Sequence, residues 1–246
     1  MQKIAVWDVP VRLFHWLTAM LVATAYTTWR LNWMDWHAYS DYALLALVVF
    51  RLLWGFFGSE TALFERFIAA PRRAASHLAQ LLRREPDHQV GHNPAGGWMV
   101  LLLLTLLLAE ALTGIYTNND VADVGPLTEV TPAPVANFIT TLHDVLWQAL
   151  LAAVALHILA VGLYWAAKRQ NLLLPMITGR KVLPLGVRPP AQAGVLRALL
   201  FLGCGALAAA ALAKFLNAIS QHVGDVKDLT IGRYSNILRH AALRES

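Results

Sequence analysis

The chemistry open to this chain rests on four histidines. His15, His37, His143 and His157 fall in, or at the ends of, strongly apolar stretches, where an ionisable side chain is costly and by default marks a functional site. Any one of them alone is as readily an interhelical hydrogen-bonding or interfacial residue. Their joint spacing argues for more. His143 and His157 are fourteen residues apart. At about 100° and 1.5 Å per residue they return to within roughly 40° of one helix face, about 21 Å apart along it, most of a ~30 Å hydrocarbon core. One helix thus offers two imidazoles on one stripe, one toward each membrane face. His15 opens the first apolar stretch and His37 the second, and successive stretches cross in alternating directions. Matching depth gives two pairs, His15 with His157 toward the inner face and His37 with His143 toward the outer.

Two facing imidazoles can hold zinc, copper or the iron of a haem. Protein-only sites of the zinc type take four ligands, and neither depth shows a completing carboxylate or thiolate. The single cysteine, Cys204, excludes an internal disulfide, a cysteine cluster and the C-x-x-C-H haem attachment. A porphyrin brings four equatorial nitrogens of its own and needs only axial ligands. Two non-covalent b haems are therefore expected, with both axial positions filled and one-electron transfer as the chemistry. Each ligating imidazole should be neutral, its other N–H donated to a carbonyl or carboxylate. Arg12, one turn before His15, and Arg51, fourteen residues after His37, are candidate partners for haem propionates. Lys168 and Arg169 are better read as snorkelling, orienting cations. Glu110 is the one carboxylate well inside a span. It could bind a ligand histidine, take a proton or bridge helices, and sequence does not rank these. His92 reads as a loop or cap residue and His77 and His88 as solvated, while His222 and His240 lie in the tail without mates.

The elements that must position these residues follow from composition. Of 246 residues, 57% are hydrophobic and 14% charged, with mean hydropathy +0.50. Soluble domains carry about 25% charged residues, so the bilayer must be part of the solvent. The net charge of +5 is too weak to argue for nucleic acid. Five stretches, 11–29, 39–57, 97–116, 142–166 and 194–216, are long enough to span as helices, with tryptophans mostly near their ends. Two loops are basic, carrying Arg66, Arg72, Arg73, Arg83 and Arg84, and Lys168, Arg169, Arg180, Lys181, Arg188 and Arg197. The loop 117–141 has no Lys or Arg but holds Asp120, Asp123 and Glu129. By the positive-inside rule the N-terminus and the basic loops face the cytoplasm. Lys227, Arg233, Arg239 and Arg244 in the tail run against that rule if all five segments cross. Ala23-Thr24-Ala25 resembles a signal cleavage site, but Asp8, Pro10 and Arg12 stand where a basic leader region belongs. Pro132, Pro134, Pro184, Pro189 and Pro190 mark loops. The expected fold is all-α: an integral membrane four-helix haem-binding bundle over 1–184, then a fifth C-terminal transmembrane helix with a polar tail over 185–246.

These residues also resemble a known family. Val6-Trp7-Asp8 with Arg12 and His15-Trp16, then His37 followed by Phe50-Arg51, Trp54-Gly55 and Gly58, resemble the bacterial cytochrome b561 superfamily. Gly91-His92-Asn93-Pro94, Gly96-Gly97-Trp98, the His143/His157 helix, Asn171-Leu172 and Met176 through Gly179-Arg180-Lys181 extend the likeness over about 1–184. Within the superfamily the chain is similar to the group containing cytochrome b subunits of nickel–iron hydrogenases. The resemblance implies a bacterial inner-membrane dihaem cytochrome with ligands at His15, His37, His143 and His157. It further implies electron transfer between quinone and a periplasmic redox partner, a hydrogenase or a c-type cytochrome. Three departures stand out: Asp41 where glycine is common, Glu110 in place of glutamine, and everything after about 194. That last segment, with Gly203, Gly205 and small residues suited to close helix packing, would dock a partner subunit or steady the bundle. The competing expectations are a stand-alone superoxide/quinone oxidoreductase, and a non-haem structural or transport protein.

Overall fold

The computed structural model describes residues 1–79, 89–118 and 125–242, and only the backbone at 78, 129, 224, 225 and 227–242. Arg83, Arg84, His88, Asp120 and Asp123 lie outside the described residues, as do the side chains of His240 and the tail cations from Lys227 onward. The chain opens with a short strand β1 (Gln2–Ala5), then α1 (Val9–Arg30) and α2 (Met34–Phe57). A 3₁₀ turn at Glu60–Ala62 leads into the short helices α3 (Phe64–Phe67) and α4 (Pro71–Ala79), followed by α5 (Pro94–Gly114). After α6 (Ala133–Lys168) come α7 (Leu173–Thr178), strand β2 (Arg180–Leu183) and α8 (Val195–Ala242).

Local chemistry fixes the helix boundaries. Asp8 caps α1, its Oδ1 accepting the Val11 N–H at 2.7 Å with Pro10 in the first turn. Asn93 caps α5 in the same way through Gly96 N–H at 2.7 Å, ahead of Pro94. Pro134 sits in the first turn of α6 rather than in a loop, where its missing N–H leaves no bond unmade. The helix therefore starts nine residues before the expected 142. Asn137, Thr140 and Thr141 dilute the apolar run there without breaking the helix, and the two threonine hydroxyls donate back to Ala136 and Asn137 carbonyls. Arg169 closes α6 in a left-handed conformation at φ 51°.

Among the described residues four helices are long and apolar enough to cross a membrane: Met34–Phe57, Pro94–Gly114, Ala133–Lys168 and Val195–Val223. The C-terminal segment is one of them, and it continues without interruption to Ala242. At 1.5 Å per residue that helix is about 72 Å long, roughly twice a bilayer core. Of the five expected spans, α1 is the one not among the four. Arg12, His15 and four threonines dilute its apolar run. On α6 the large apolar side chains face outward, Ile158 at 65% and Trp165 at 68% exposed, as a lipid-facing surface requires.

α1 packs on α2, α5 on α6, and α2 links the pairs by meeting α5 on one side and α8 on the other. Two apolar clusters hold this frame: Val48, Leu106, Leu107, Leu150 and Ala153 join α2, α5 and α6, and Val11, Phe50, Trp54 and Ala198 join α1, α2 and α8. Gly205 of α8 lies directly on the Ala46 carbonyl of α2, where a Cβ would not fit. Along α1 and α6, by contrast, there is almost no backbone contact. β1 and β2 pair antiparallel, Gln2 with Leu183 and Ala5 with Arg180, around Ile4, Val6 and Leu183. This ribbon brings the start of α1 and the region after α6 to the same end of the bundle.

Candidate functional site

Because the ribbon aligns those two ends, His15 of α1 and His157 of α6 meet across the gap between their helices. Their ring centroids are 6.3 Å apart and their planes cross at 55°. Both are half-buried. His15 Nδ1 is buried with no hydrogen-bond partner among the described residues, as are Thr18 Oγ1 and Arg12 Nε, three positions to either side on the same helix. Arg12 is anchored at its far end, Nη1 donating to the Ile177 carbonyl at 2.6 Å. Gly179 at φ 78° leaves room beside it: a Cβ there would press on the Trp7 carbonyl and the Arg12 guanidinium.

Arg51 lies at this same end of the bundle. It is buried, donates to the Ala62 carbonyl at 3.3 Å, and stacks over the rings of Phe64 and Phe67 at 5.2 and 6.0 Å. His92 is sandwiched between Trp7 at 4.5 Å and Phe67 at 4.7 Å, with Nδ1 buried and unpartnered. Burial first, and then the nearby Arg51, His157 and His15, push its pKa down to about 3. His92 is therefore a half-buried, neutral ring in the loop immediately before the Asn93 cap of α5. It lines a cavity of about 340 Å³ together with Thr61, Arg66, Phe67 and Arg188. His77, read from sequence as solvated, is instead partly buried, its Nε2 2.7 Å from the Tyr164 hydroxyl, to which Asn93 also donates. Lys168 is buried rather than snorkelling, its ammonium 5.7 Å from the Tyr164 ring centre.

The other two histidines lie toward the opposite end of the bundle, among carboxylates. His37 Nδ1 is 2.8 Å from the Ala25 carbonyl. A carbonyl only accepts, so Nδ1 carries the proton, and Nε2 faces Asp41 Oδ2 at 3.4 Å. His143 Nδ1 is 2.7 Å from Glu110 Oε2 and 2.9 Å from Thr113 Oγ1. The Thr113 hydroxyl donates to the Ala109 carbonyl at 2.8 Å, so its oxygen, like Glu110, accepts from the imidazole. Gly114 is wedged between the two groups. A Cβ on it would lie 3.4 Å from His143 Cε1 and 3.7 Å from Asp41 Oδ2. Beside this second site, Tyr26 of α1, next to Ala25, stacks on Trp147 of α6, 5.6 Å apart and 15° from parallel.

Residues 6–179, most of the chain, match the family model of prokaryotic cytochrome b561. The chain belongs to that family. It is thus a membrane b-type cytochrome, of a kind that binds haem b and transfers electrons. Comparison with curated proteins and with solved structures returns no match. The matched region ends before α8.

The residues present fit the cofactor of a cytochrome b561. A metal–imidazole bond is about 2 Å long, so two imidazoles on opposite sides of one ion have ring centres about 6 Å apart. The His15–His157 separation is of that size. The buried Arg12 Nε, His15 Nδ1 and Thr18 Oγ1 follow one another three residues apart along α1, polar atoms for which the described residues supply no mate. His37 and His143 each engage Nδ1, and such a second partner fixes the tautomer and ring orientation of a ligand imidazole. Among the described residues no three of His, Cys, Asp and Glu gather into a site able to hold a metal ion by themselves. Sequence spacing did not reveal Thr113, Asp41 as a neighbour of both histidines, or the Tyr26–Trp147 stack. Trp147 lies one turn from His143, a hint that spacing alone could not distinguish from an interfacial tryptophan.

Proposed function

We propose that this cytochrome holds two b haems, one between His15 and His157 near the cytoplasmic face and one between His37 and His143 near the periplasmic face. In that reading α1, α2, α5, α6 and α8 all cross the inner membrane and the N-terminus is cytoplasmic. Electrons pass between the quinone pool and a periplasmic redox protein, a hydrogenase or a c-type cytochrome. The bound groups supply reversible one-electron chemistry. The chain does the rest. His15, His157, His37 and His143 would hold the two groups and would leave oxygen no open position on them. Arg12, with its unpaired Nε, and Arg51 neutralise propionates. The apolar helix faces keep water from the sites. Quinone meets the inner end near Arg51, where the cavity beside Phe67 and His92 is of ligand size.

The observation that carries this reading is the 6.3 Å approach of His15 and His157 across helices that otherwise barely touch. Purified full-length protein, reduced with dithionite, should give the sharp α-band of low-spin b haem and about two irons per chain. Reduction by a quinol analogue should then be seen at the same band. A reduced spectrum without that band, or a single iron per chain, overturns the proposal.

A further inference from the structure

We infer that Glu110, acting through His143, makes the outer haem the lower-potential member of the pair. The inference rests on the two-haem reading above. It comes from the contrast between the second partners of the histidines. A ligand imidazole whose N–H is given to a carboxylate gains imidazolate character and becomes a stronger donor, which favours ferric over ferrous iron. His143 gives its N–H to Glu110 Oε2 at 2.7 Å. Glu110 is buried and its Oε1 has no partner among the described residues, so nothing there draws its charge away from the imidazole. His37 gives its N–H to a carbonyl, that of Ala25, an ordinary acceptor. His15 has no acceptor at Nδ1 among the described residues. Ligand strength therefore falls from the outer site to the inner one.

The surrounding charges act in the same direction. The ionisable groups that reach His143 are Glu110, Asp41 and Asp144, all carboxyl groups. At the inner end Arg51 lies near His92, which in turn lies near His15 and His157, and Arg12 stands one turn before His15. The acid there, Asp8, has both oxygens committed, one to Val11 N–H and the other to the Trp54 indole. Negative charge beside an iron stabilises its ferric form, positive charge its ferrous form, and a low-dielectric interior magnifies both. At equilibrium an electron shared between the two sites resides on the inner one. Glu110 is a positioning residue, acting through the hydrogen bond it accepts from His143.

The test is a potentiometric titration of full-length protein in lipid nanodiscs, followed at the α-band and by electron paramagnetic resonance of the two ferric low-spin signals. His15→Ala, which leaves the outer haem alone, should retain the lower of the two wild-type midpoints. Glu110→Gln should keep two haems, raise the lower midpoint and shift the largest g-value of one signal only. The electron's preference for the inner site should fall at least tenfold, about 59 mV for a one-electron couple. Thr113→Val, which leaves the imidazole N–H to Glu110 alone, should move the same midpoint down. Two retained haems with unmoved midpoints in Glu110→Gln, or the higher midpoint surviving in His15→Ala, would overturn the inference while leaving two-haem binding intact. Should Glu110→Gln lose haem, the His15→Ala and Thr113→Val results decide. A wild-type chain with fewer than two haems overturns the function proposed above and this inference with it.

Discussion

Trp54 donates its indole N–H to Asp8 Oδ2 at 2.9 Å, and the ring is fully buried. The other oxygen of the same carboxylate caps α1 through Val11. One acid thus fixes the start of α1 against α2, two turns before His15. Asp8→Ala removes a cap, about 1 kcal/mol, and leaves a buried indole donor unpaired, about 1–3 kcal/mol more. Thermal unfolding in detergent should show a loss of about 2–4 kcal/mol, accompanied by depletion of one haem. Asp8→Asn retains the capping oxygen but turns an amide N–H2 toward the Trp54 indole donor, so it should recover only the cap's share, about 1 kcal/mol. Equal losses from the two substitutions would show that the carboxylate is not acting as a cap.

Acid stability should depend on His92. Its folded-state pKa of about 3 lies below the ordinary 6.5, so the unfolded chain takes up a proton that the folded chain refuses. The contribution of the neutral ring is fully present above pH 6.5 and is lost as pH falls from 6.5 toward 3, by about 1.4 kcal/mol per pH unit for one proton. Unfolding midpoints measured between pH 7 and pH 4.5 should drop less steeply in His92→Phe than in wild type. Parallel pH curves would show that the ring becomes protonated without unfolding.

Periodicity and composition made the helices legible because spacing of apolar residues is what a membrane-spanning segment must display. His143 and His157 were readable as one stripe for the same reason, the fourteen-residue interval being a property of helix geometry. What the sequence hid depends on contacts between distant segments. The β1–β2 ribbon joins Gln2 to Leu183 through backbone bonds that leave little side-chain signature in four-residue strands. Pro134 read as a loop marker because a proline at the first turn and a proline in a loop look alike without the fold. Glu110 kept three roles open until the structure placed α5 against α6 and brought it to His143. His77 read as solvated and His92 as a loop or cap residue, since the cover given to their rings by Tyr164, or by Trp7 and Phe67, comes from packing that no local pattern records.

α8 lies beyond the family-matched region, and Gly205 sets how closely it can approach α2. A side chain there meets the Ala46 carbonyl and, at 3.4 Å, the Phe50 nitrogen. Gly205→Leu should force the helices apart at a cost of about 1–3 kcal/mol. It should also increase proteolysis of the 184–194 connection. Haem content should stay at the wild-type level, because the four histidines lie on α1, α2 and α6. At Gly203 a Cβ would have nothing within 4 Å among the described residues, so Gly203→Leu should leave both readouts unchanged. Loss of haem in Gly205→Leu would instead make α8 part of the haem-binding frame.

The pairing of the histidines makes a graded prediction for single substitutions. His15 and His157 face one another at 6.3 Å, and each belongs to a helix that also carries, or packs beside, a histidine of the other site. A loss of helix packing would therefore damage both sites together, whereas loss of one axial ligand should empty one site alone. His15→Ala and His157→Ala should each reduce haem from two to one per chain and leave the same residual low-spin spectrum. His37→Ala and His143→Ala should leave a second, different residual spectrum, shared by those two variants. Arg12→Gln should retain both sites but release haem more readily from the one spared in His37→Ala, since its buried Nε is proposed to face a propionate there. Residual spectra that pair His15 with His143, or single variants that each lose both haems, would break the depth-matched arrangement. Haemochrome quantification beside the oxidised low-spin signals separates these outcomes, because it counts haem independently of how each iron is ligated.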